Sequence, residues 1–150
     1  MPYSYELDKE DEKKIAKAFG KEINISPKKA NEVCHAVRGM RVDKAIAYLE
    51  KVIKKEAFVH FRRYNKKVGH KTGGKPGRYP VKAAKKILEI IKNAKANAEQ
   101  KGLNDERLKI EHITAYKAVE FPRIKPKGGK GSPRLHNLTL TNVEVILREF

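Results

Sequence analysis

Gly69, Gly74 and Lys75 have the spacing of most of a phosphate-binding loop, which makes them the first residues in this chain to test for chemistry. In such a loop a Ser or Thr follows the lysine, and its hydroxyl holds a magnesium ion. Here Pro76 stands at that position. No strong strand pattern precedes the glycines, and the next predicted helix opens at Pro80 rather than at the loop. The sequence therefore argues against nucleotide hydrolysis and leaves a basic, glycine-rich loop.

A second pattern pairs Ser26-x-x-Lys29 with Lys71-Thr72-Gly73. Together they imitate two of the three motifs of serine penicillin-binding enzymes. The third motif, Ser-Asp-Asn, is absent between them, and 150 residues are too few for the two-part body that such a site needs. We interpret Ser26 as the N-cap of a helix, since Pro27 follows at the position that proline favours.

Metal, acid–base and membrane functions find little support in the sequence. The single cysteine, Cys34, excludes a disulfide framework and favours a reducing compartment. No Asp/Glu pair lies on an otherwise apolar face. No window approaches 18 apolar residues, and residues 1–20 lack the apolar run of a signal peptide. The five histidines have no metal-ligand spacing, so no metal site is predicted. They are His35, His60, His70, His112 and His136. We predict a cytoplasmic non-enzyme without a catalytic residue or cofactor.

The charge of the chain favours a polyanionic partner. The formal net charge is +17, and residues 51–101 hold 16 Lys and Arg against three Asp and Glu. Phe61, Tyr64, His70 and Tyr79 are interleaved with these cations. Cations bind phosphates, and flat side chains stack on unpaired bases. Residues 60–86 are therefore predicted to contact RNA or DNA.

Residues 121–135 combine five cations and no acid with three prolines and three glycines. Such a segment has too little apolar surface to offset the entropy of ordering it. Because β-patterned sequence flanks it on both sides, two strands are expected to hold this cationic loop away from the body. The loop is a second feature that points to nucleic acid.

Three segments have the apolar period of an amphipathic helix. The first starts at Ser26 and ends at Gly39, the second runs from about Val42 to Lys55, and the third runs from near Pro80 to about Lys101. Residues 56–79 have no helical period and are predicted to be a long basic loop. The predicted buried faces are Ala30, Val33, Cys34 and Val37; Val42, Ala45, Ile46, Leu49, Val52 and Ile53; and Ala84, Ile87, Leu88, Ile91, Ala94 and Ala98.

Three further segments are predicted to be strands. Ile23 and Ile25 alternate with polar residues, which is typical of a short strand. A long strand from Arg107 to about Phe121 is followed by a return strand from about Leu135 to Arg148. The apolar phase slips once in each long strand, which predicts a bulge or a strong twist. Both exceed ten residues, whereas strands of five or six are usual, so we expect the hairpin to extend beyond the body.

The run Gly77-Arg78-Tyr79-Pro80-Val81-Lys82-Ala83-Ala84, continued to Gly102, closely resembles large-subunit ribosomal protein twenty-two in its archaeal and eukaryotic form. Other segments resemble that family in the same order along the chain. They are Ile25 to Ala30, Val37 to Met40, Ala45 to Leu49, Asn65 to His70, and Val143 to Glu149.

The resemblance implies an α+β fold: three helices packed on a small three-stranded antiparallel sheet, with a long protruding β-hairpin. It implies one ribosomal-protein domain over residues 1–150, which includes a basic insertion loop at 56–79 and an extended hairpin tip at 119–137. This architecture agrees with the elements predicted above from apolar periodicity.

The resemblance also implies a structural constituent of the large ribosomal subunit, located in the cytoplasm. Its implied partners are large-subunit ribosomal RNA, neighbouring ribosomal proteins and the nascent polypeptide, with no membrane and no small-molecule substrate. The family assists rRNA folding and assembly, and its hairpin tip lines the nascent-peptide exit tunnel. A free-standing nucleic-acid-binding module with the same basic surface is the alternative. It would bind many duplexes without associating with the subunit.

Carried onto this sequence, the resemblance and the charge pattern give two sets of site residues. The expected rRNA-binding residues are Lys28, Lys29, Arg38, Arg62, Arg63, Lys66, Lys67, His70, Lys71, Lys75, Arg78, Tyr79, Lys82, Lys85 and Lys86. The expected tunnel hairpin tip comprises Arg123, Lys125, Lys127, Gly128, Gly129, Lys130 and Arg134. Many relatives have an arginine-rich tip, whereas lysine here supplies point charges instead of planar guanidinium groups.

Overall fold

The structure is a computed structural model that describes residues 14–125, 134–135 and 137–150. Its helices are α1 (Pro27–Val37), α2 (Val42–Ile53) and α3 (Val81–Gln100). Its strands are β1 (Ile15–Ile23), β2 (Val59–His60), β3 (His70–Lys71), β4 (Lys75–Arg78), β5 (Leu108–Phe121), β6 (Ile124–Lys125), β7 (Arg134–Leu135) and β8 (Leu138–Glu149). The α+β class and the three helices predicted from the sequence are confirmed.

The helices begin and end where the local sequence predicts. Ser26 has the extended backbone of an N-cap before Pro27. After α1 the chain reverses through Gly39, whose φ of +76° suits glycine. Gly102, with φ of +74°, follows α3 in the same way. The predicted faces are buried except for Ile46 and Ile53 on α2, which are half-buried.

The main sheet has the antiparallel order β1-β8-β5, so β8 is the central strand. The three helices share one hydrophobic core with the sheet face that carries Val143, Val145 and Leu147. α3 packs on β1 and β8, while α1 packs on β5. The core therefore fixes the start of α1, the start of α3 and the base of the hairpin relative to one another.

The first strand is longer than the sequence predicts, and it lies earlier in the chain. β1 starts at Ile15 and ends at Ile23, so Ile25 lies beyond it. The prediction missed residues 15–22 because two buried positions are Ala16 and Ala18, and alanine is uncommon in strands. Pairing along β8 determines this strand, which makes it a tertiary effect rather than a local one.

The outgoing strand contains a bulge, as its phase slip predicted, whereas the register shows no bulge in the return strand over its described residues. The β5–β8 register shifts between Ile110 and His112, where β5 carries the extra residue. β5 carries a second extra residue between Lys117 and Glu120. β8 carries no extra residue against β5, and its apolar phase changes because Leu138 and Leu140 lie on the opposite face from Val143, Val145 and Leu147.

Residues 56–79, called the basic segment below, contain more regular structure than the predicted loop. Three short strands form a second antiparallel sheet in the order β2-β4-β3. Strands of two to four residues are too short to leave a periodic signal in the sequence. Val59, Phe61 and Val68 from this segment are buried in the main core, so the basic segment is anchored to the body.

The hairpin continues beyond the main sheet, and we call its distal part, residues 119–125 with 134–135 and 137–139, the outer hairpin. β6 pairs with β7 through Ile124 with Leu135 and Lys125 with Arg134. Before this pairing, Val119 and Phe121 are 45% and 48% exposed, so the strands have left the cover of the helices. Lys127, Gly128, Gly129 and Lys130 of the predicted tip lie outside the described residues.

Candidate RNA interface

The fifteen residues expected to bind rRNA are all exposed. Lys86 forms an ion pair with Glu89 at 2.8 Å. In residues 14–125, 134–135 and 137–150, the other fourteen make no ion pair with an acidic side chain. An exposed ion pair contributes little stability, and an exposed cation without one keeps its charge available to an external anion.

Arg38 lies apart from the other predicted residues. It follows the C-terminus of α1, whereas Lys28 and Lys29 lie in the first turn, about 15 Å away along the helix axis. The Arg38 guanidinium donates to the carbonyl of Ile113 at 2.9 Å and to the hydroxyl of Thr114 at 3.2 Å. Arg38 therefore attaches the end of α1 to β5, and this role was not evident from the sequence.

A tyrosine and two cations meet between the start of α1 and the basic segment. The Lys28 ammonium lies 5.8 Å from the centre of the Tyr64 ring, and the Arg63 guanidinium carbon lies 5.7 Å from it. These distances are within the range of cation–π attraction. Residues that are 36 positions apart in the sequence thus form one charged aromatic cluster.

Tyr79 has a similar arrangement at the start of α3. Its side chain is 36% exposed, and the Lys71 ammonium lies 5.0 Å from the ring centre. Phe61, in contrast, is only 2% exposed, so the prediction that it stacks on a base is wrong. Phe61 instead lies beneath Arg78, whose guanidinium carbon is 6.0 Å from the ring centre.

Glu32 is a buried residue that holds the backbone beneath the Tyr64 cluster, and the sequence did not predict this role. This carboxylate on α1 is 1% exposed and accepts three backbone N–H bonds from the basic segment. The donors are Arg62 at 2.9 Å, Arg63 at 2.9 Å and Tyr64 at 2.7 Å. Hydrogen bonds to an ionised acceptor are stronger than neutral ones. The carboxylate thereby fixes the backbone that carries two predicted cations and the tyrosine.

The stretch from Gly69 to Lys75 does not fold as a phosphate-binding loop. It forms a tight hairpin in which His70 pairs with Pro76 and Lys71 pairs with Lys75. The His70 Nδ1 atom lies 2.9 Å from the Gly74 carbonyl oxygen, which closes the turn. A phosphate-binding loop needs a strand before the glycines and a helix directly after them, so this geometry contradicts a nucleotide hydrolase that uses Gly69–Lys75.

The base of the hairpin carries a small polar network. The Glu120 carboxylate accepts hydrogen bonds from Lys117, from Asn137 at 3.1 Å and from Thr139 at 3.3 Å. The Lys117 ammonium, helped by Asn137, lowers the pKa of Glu120 below its ordinary value. Arg123 is exposed just beyond this network.

In the part of the chain that the structure describes, His, Cys, Asp and Glu form no cluster suited to a metal ion. The described helices include none that is both long and apolar enough to cross a membrane.

Comparison with known proteins gives a consistent answer. Residues 18–148 match the family described as ribosomal protein L22p/L17e. The chain is 48% identical to the large ribosomal subunit protein uL22 of Methanocaldococcus jannaschii, over 91% of this chain and 89% of that protein. It is 44% identical to the uL22 protein of Methanopyrus kandleri, over 98% of this chain and 94% of that protein. It is 46% identical to the uL22 protein of Ignicoccus hospitalis, over 98% of this chain and 96% of that protein.

These matches cover nearly the whole chain and agree with the resemblance found at Gly77 to Gly102. These relatives are archaeal, which agrees with a resemblance to the archaeal and eukaryotic form. The chain therefore belongs to the ribosomal protein L22p/L17e family.

Proposed function

We propose that this protein is a structural component of the large ribosomal subunit in the cytoplasm, where it binds large-subunit rRNA and assists its folding and assembly. The observation that carries the proposal is the set of exposed cations on the α1 start, the basic segment and the α3 start. Fourteen of the fifteen predicted rRNA-binding residues make no acidic ion pair within the described parts of the chain. The names of the relatives, both large ribosomal subunit proteins, support the location in the subunit.

The mechanism follows from polyelectrolyte physics. Each phosphate neutralised by a lysine or arginine releases condensed counterions, and this release favours binding at low salt. Contacts to phosphates fix the register of the protein on the RNA, while base contacts give specificity. Neutralising phosphates from separate RNA segments lets those segments approach each other, which is how such a surface assists folding.

The hairpin has a second role in this proposal: its tip lines the tunnel through which the nascent polypeptide leaves. The support is the extended ladder from Leu108 to Lys125 and the exposure of Val119, Phe121 and Arg123. The lysines and glycines of residues 126–133 supply charge and little bulk, which suits a wall shared by RNA and a moving chain. In this proposal the protein has no catalytic role, and neighbouring ribosomal proteins complete its surroundings.

Measuring rRNA affinity against salt concentration tests the proposal. We expect log Kd to vary steeply with log salt for the wild-type protein, and the variant Lys66→Gln/Lys67→Gln to lower the slope by about 1 to 2. The matched control Lys51→Gln/Lys54→Gln makes the same charge change at the C-terminal end of α2, outside the predicted set, and should leave the slope nearly unchanged.

Association with large subunits is the second readout. The wild-type protein should co-sediment with them through moderate salt. Equal slopes for the two double variants, or recovery of the protein only in RNA-free fractions, would contradict the proposal. Tight binding to unrelated duplexes with no subunit association would favour a free-standing nucleic-acid-binding module.

A further inference from the structure

Three depressions adjoin one another around the start of α1, and Ser26 lines all of them. The first, of about 940 Å³, lies between α1 and the base of the hairpin. The second, of about 480 Å³, lies between α1 and the basic segment. The third, of about 350 Å³, lies between the starts of α1 and α3. We call this continuous surface the tyrosine path, since Tyr64 lines the first two depressions and Tyr79 lines the third.

Each tyrosine of the path combines a flat ring with a cation that has no acidic partner among the described residues. The Lys28 ammonium and the Arg63 guanidinium carbon lie within 6 Å of the centre of the Tyr64 ring. The Lys71 ammonium lies 5.0 Å from the centre of the Tyr79 ring. A ring beside a cation matches a nucleotide, which presents a base and a phosphate close together. A positively charged groove with aromatic platforms is the common design of surfaces that bind single strands.

Polar side chains complete the path. Ser26 is an N-cap by backbone geometry, yet its hydroxyl makes no capping hydrogen bond with the first turn of α1. Asn24 and Lys29 flank it in the third depression. These groups offer hydrogen bonds to the edges of bases or to sugars.

We propose that the tyrosine path holds an unpaired segment of RNA, with bases stacked on Tyr64 and Tyr79 and phosphates on Lys28, Arg63 and Lys71. This inference rests on the proposed rRNA-binding function and adds that this part of the surface selects single strands over duplexes. In a duplex the faces of the bases are stacked on each other, so the rings have nothing to stack on. The duplex then meets only the cations.

The Tyr64 ring of the path is set in place before RNA arrives. Glu32 holds the backbone of Arg63 and Tyr64 through two of its three hydrogen bonds. Tyr64 is half-buried against the core, which limits the rotamers that its side chain loses on binding. Binding a base on such a platform costs less ordering than binding on a mobile loop.

The test compares a fluorescently labelled ten-nucleotide oligoadenylate with the same strand paired to oligouridylate, at fixed salt. We expect Tyr64→Leu to weaken single-strand binding about tenfold and duplex binding less than twofold. Tyr64→Phe keeps the ring and should bind like the wild type. Tyr79→Leu, at a more exposed position, should shift binding in the same direction as Tyr64→Leu.

Phe150→Leu is the matched control. Phe150 is an exposed ring with the Arg41 guanidinium carbon 5.9 Å from its centre, and it lies outside the path. This variant should bind both probes normally. Unchanged thermal midpoints would establish that each variant is folded. If Tyr64→Leu does not fold, Tyr79→Leu provides the test.

Three outcomes overturn the inference: no loss in either leucine variant, equal losses on both probes, or displacement of the single strand by oligoglutamate as efficiently as by unlabelled RNA. The last would mean that an acidic peptide fits the path as well as RNA. If wild-type protein still binds rRNA with a steep salt slope, the proposed function survives these outcomes. If wild-type protein binds no RNA, both fail together.

Discussion

The basic segment and the outer hairpin are both cationic extensions of one body, yet the fold supports them differently. The basic segment inserts Val59, Phe61 and Val68 into the core, and its backbone is held by Glu32. The outer hairpin is held through its own strand pairing, and its large apolar side chains Val119 and Phe121 remain about half exposed.

This difference separates two ways of presenting charge to RNA. A segment anchored in the core presents cations in a fixed arrangement, so little ordering entropy remains to be lost on binding. A hairpin that is held by strand pairing and does not pack on the core leaves apolar surface exposed, which a partner can bury. We therefore expect substitutions at the buried residues of the basic segment to affect stability and RNA binding together. Substitutions in the outer hairpin should leave the stability of the free protein nearly unchanged.

The largest expected contrast is between two phenylalanines. Phe61→Ala should lower the free energy of unfolding by about 3–5 kcal/mol, because it leaves a cavity at a side chain that is 2% exposed. Phe121→Ala should lower it by less than about 0.5 kcal/mol, since this ring is 48% exposed. Urea denaturation followed by circular dichroism measures both, with no tryptophan in the chain to report by fluorescence. Similar losses for the two variants would contradict the division between the regions.

Glu32→Gln should have the next largest effect. The amide keeps the shape of the carboxylate but places an NH₂ donor against at least one of the N–H groups of Arg62, Arg63 and Tyr64. We expect the free energy of unfolding to fall by about 2–3 kcal/mol, because a buried donor loses a charged acceptor. We also expect weaker rRNA binding, since the positions of Arg63 and Tyr64 are no longer fixed.

Glu89→Gln makes the same change in net charge at an exposed residue that pairs with Lys86. If overall charge alone governs affinity, both variants should bind rRNA slightly more tightly than the wild type. If the geometry set by Glu32 matters, only Glu32→Gln should bind more weakly. A parallel gain in affinity for both variants would remove Glu32 from the account of the interface.

Glu32 also shows where the sequence stops predicting the site. The apolar period of α1 identifies Ala30, Val33 and Val37 as buried, but Glu32 lies between these positions and has no sequence signal of its own. Its partners are about 30 residues away and are backbone groups, which have no residue-type signature. The cations of the interface were predictable because charge is a property of composition.

The elements of the fold likewise divide into those that the sequence predicts and those that it does not. Helix faces and the β5 bulge were predictable because a period of 3.6 or 2 is written in the residue types. β1 was not, because its buried positions include Ala16 and Ala18, and pairing with β8 makes them a strand. The short strands of the basic segment depend on main-chain pairing and on turns such as Gly73–Gly74, where φ is positive.

A smaller contrast lies within the basic segment itself. At Gly77 an added Cβ would meet the Phe58 ring and the Val59 carbonyl oxygen, whereas at Gly69 it would meet open space. Gly77→Ala should therefore lower the free energy of unfolding by about 1–2 kcal/mol through overpacking. Gly69→Ala should change it by less than about 0.5 kcal/mol. Thermal unfolding of the two variants in parallel tests this, and equal midpoints would mean that the β2–β4 contact yields without cost.

The smallest expected effect concerns the carboxylate at the base of the hairpin. The Lys117 ammonium, with Asn137 and Thr139, lowers the pKa of Glu120, so folding favours the ionised form. A lowered folded pKa gives stability that is present above the unfolded value, about 4.3, and is lost as the pH falls through the folded value. Carbon-detected NMR titration of the Glu120 carboxyl should give a midpoint below that of an exposed glutamate. Lys117→Met keeps the aliphatic stem and should return the midpoint toward about 4.3. An unchanged midpoint in that variant would show that the network does not hold the hairpin base in solution.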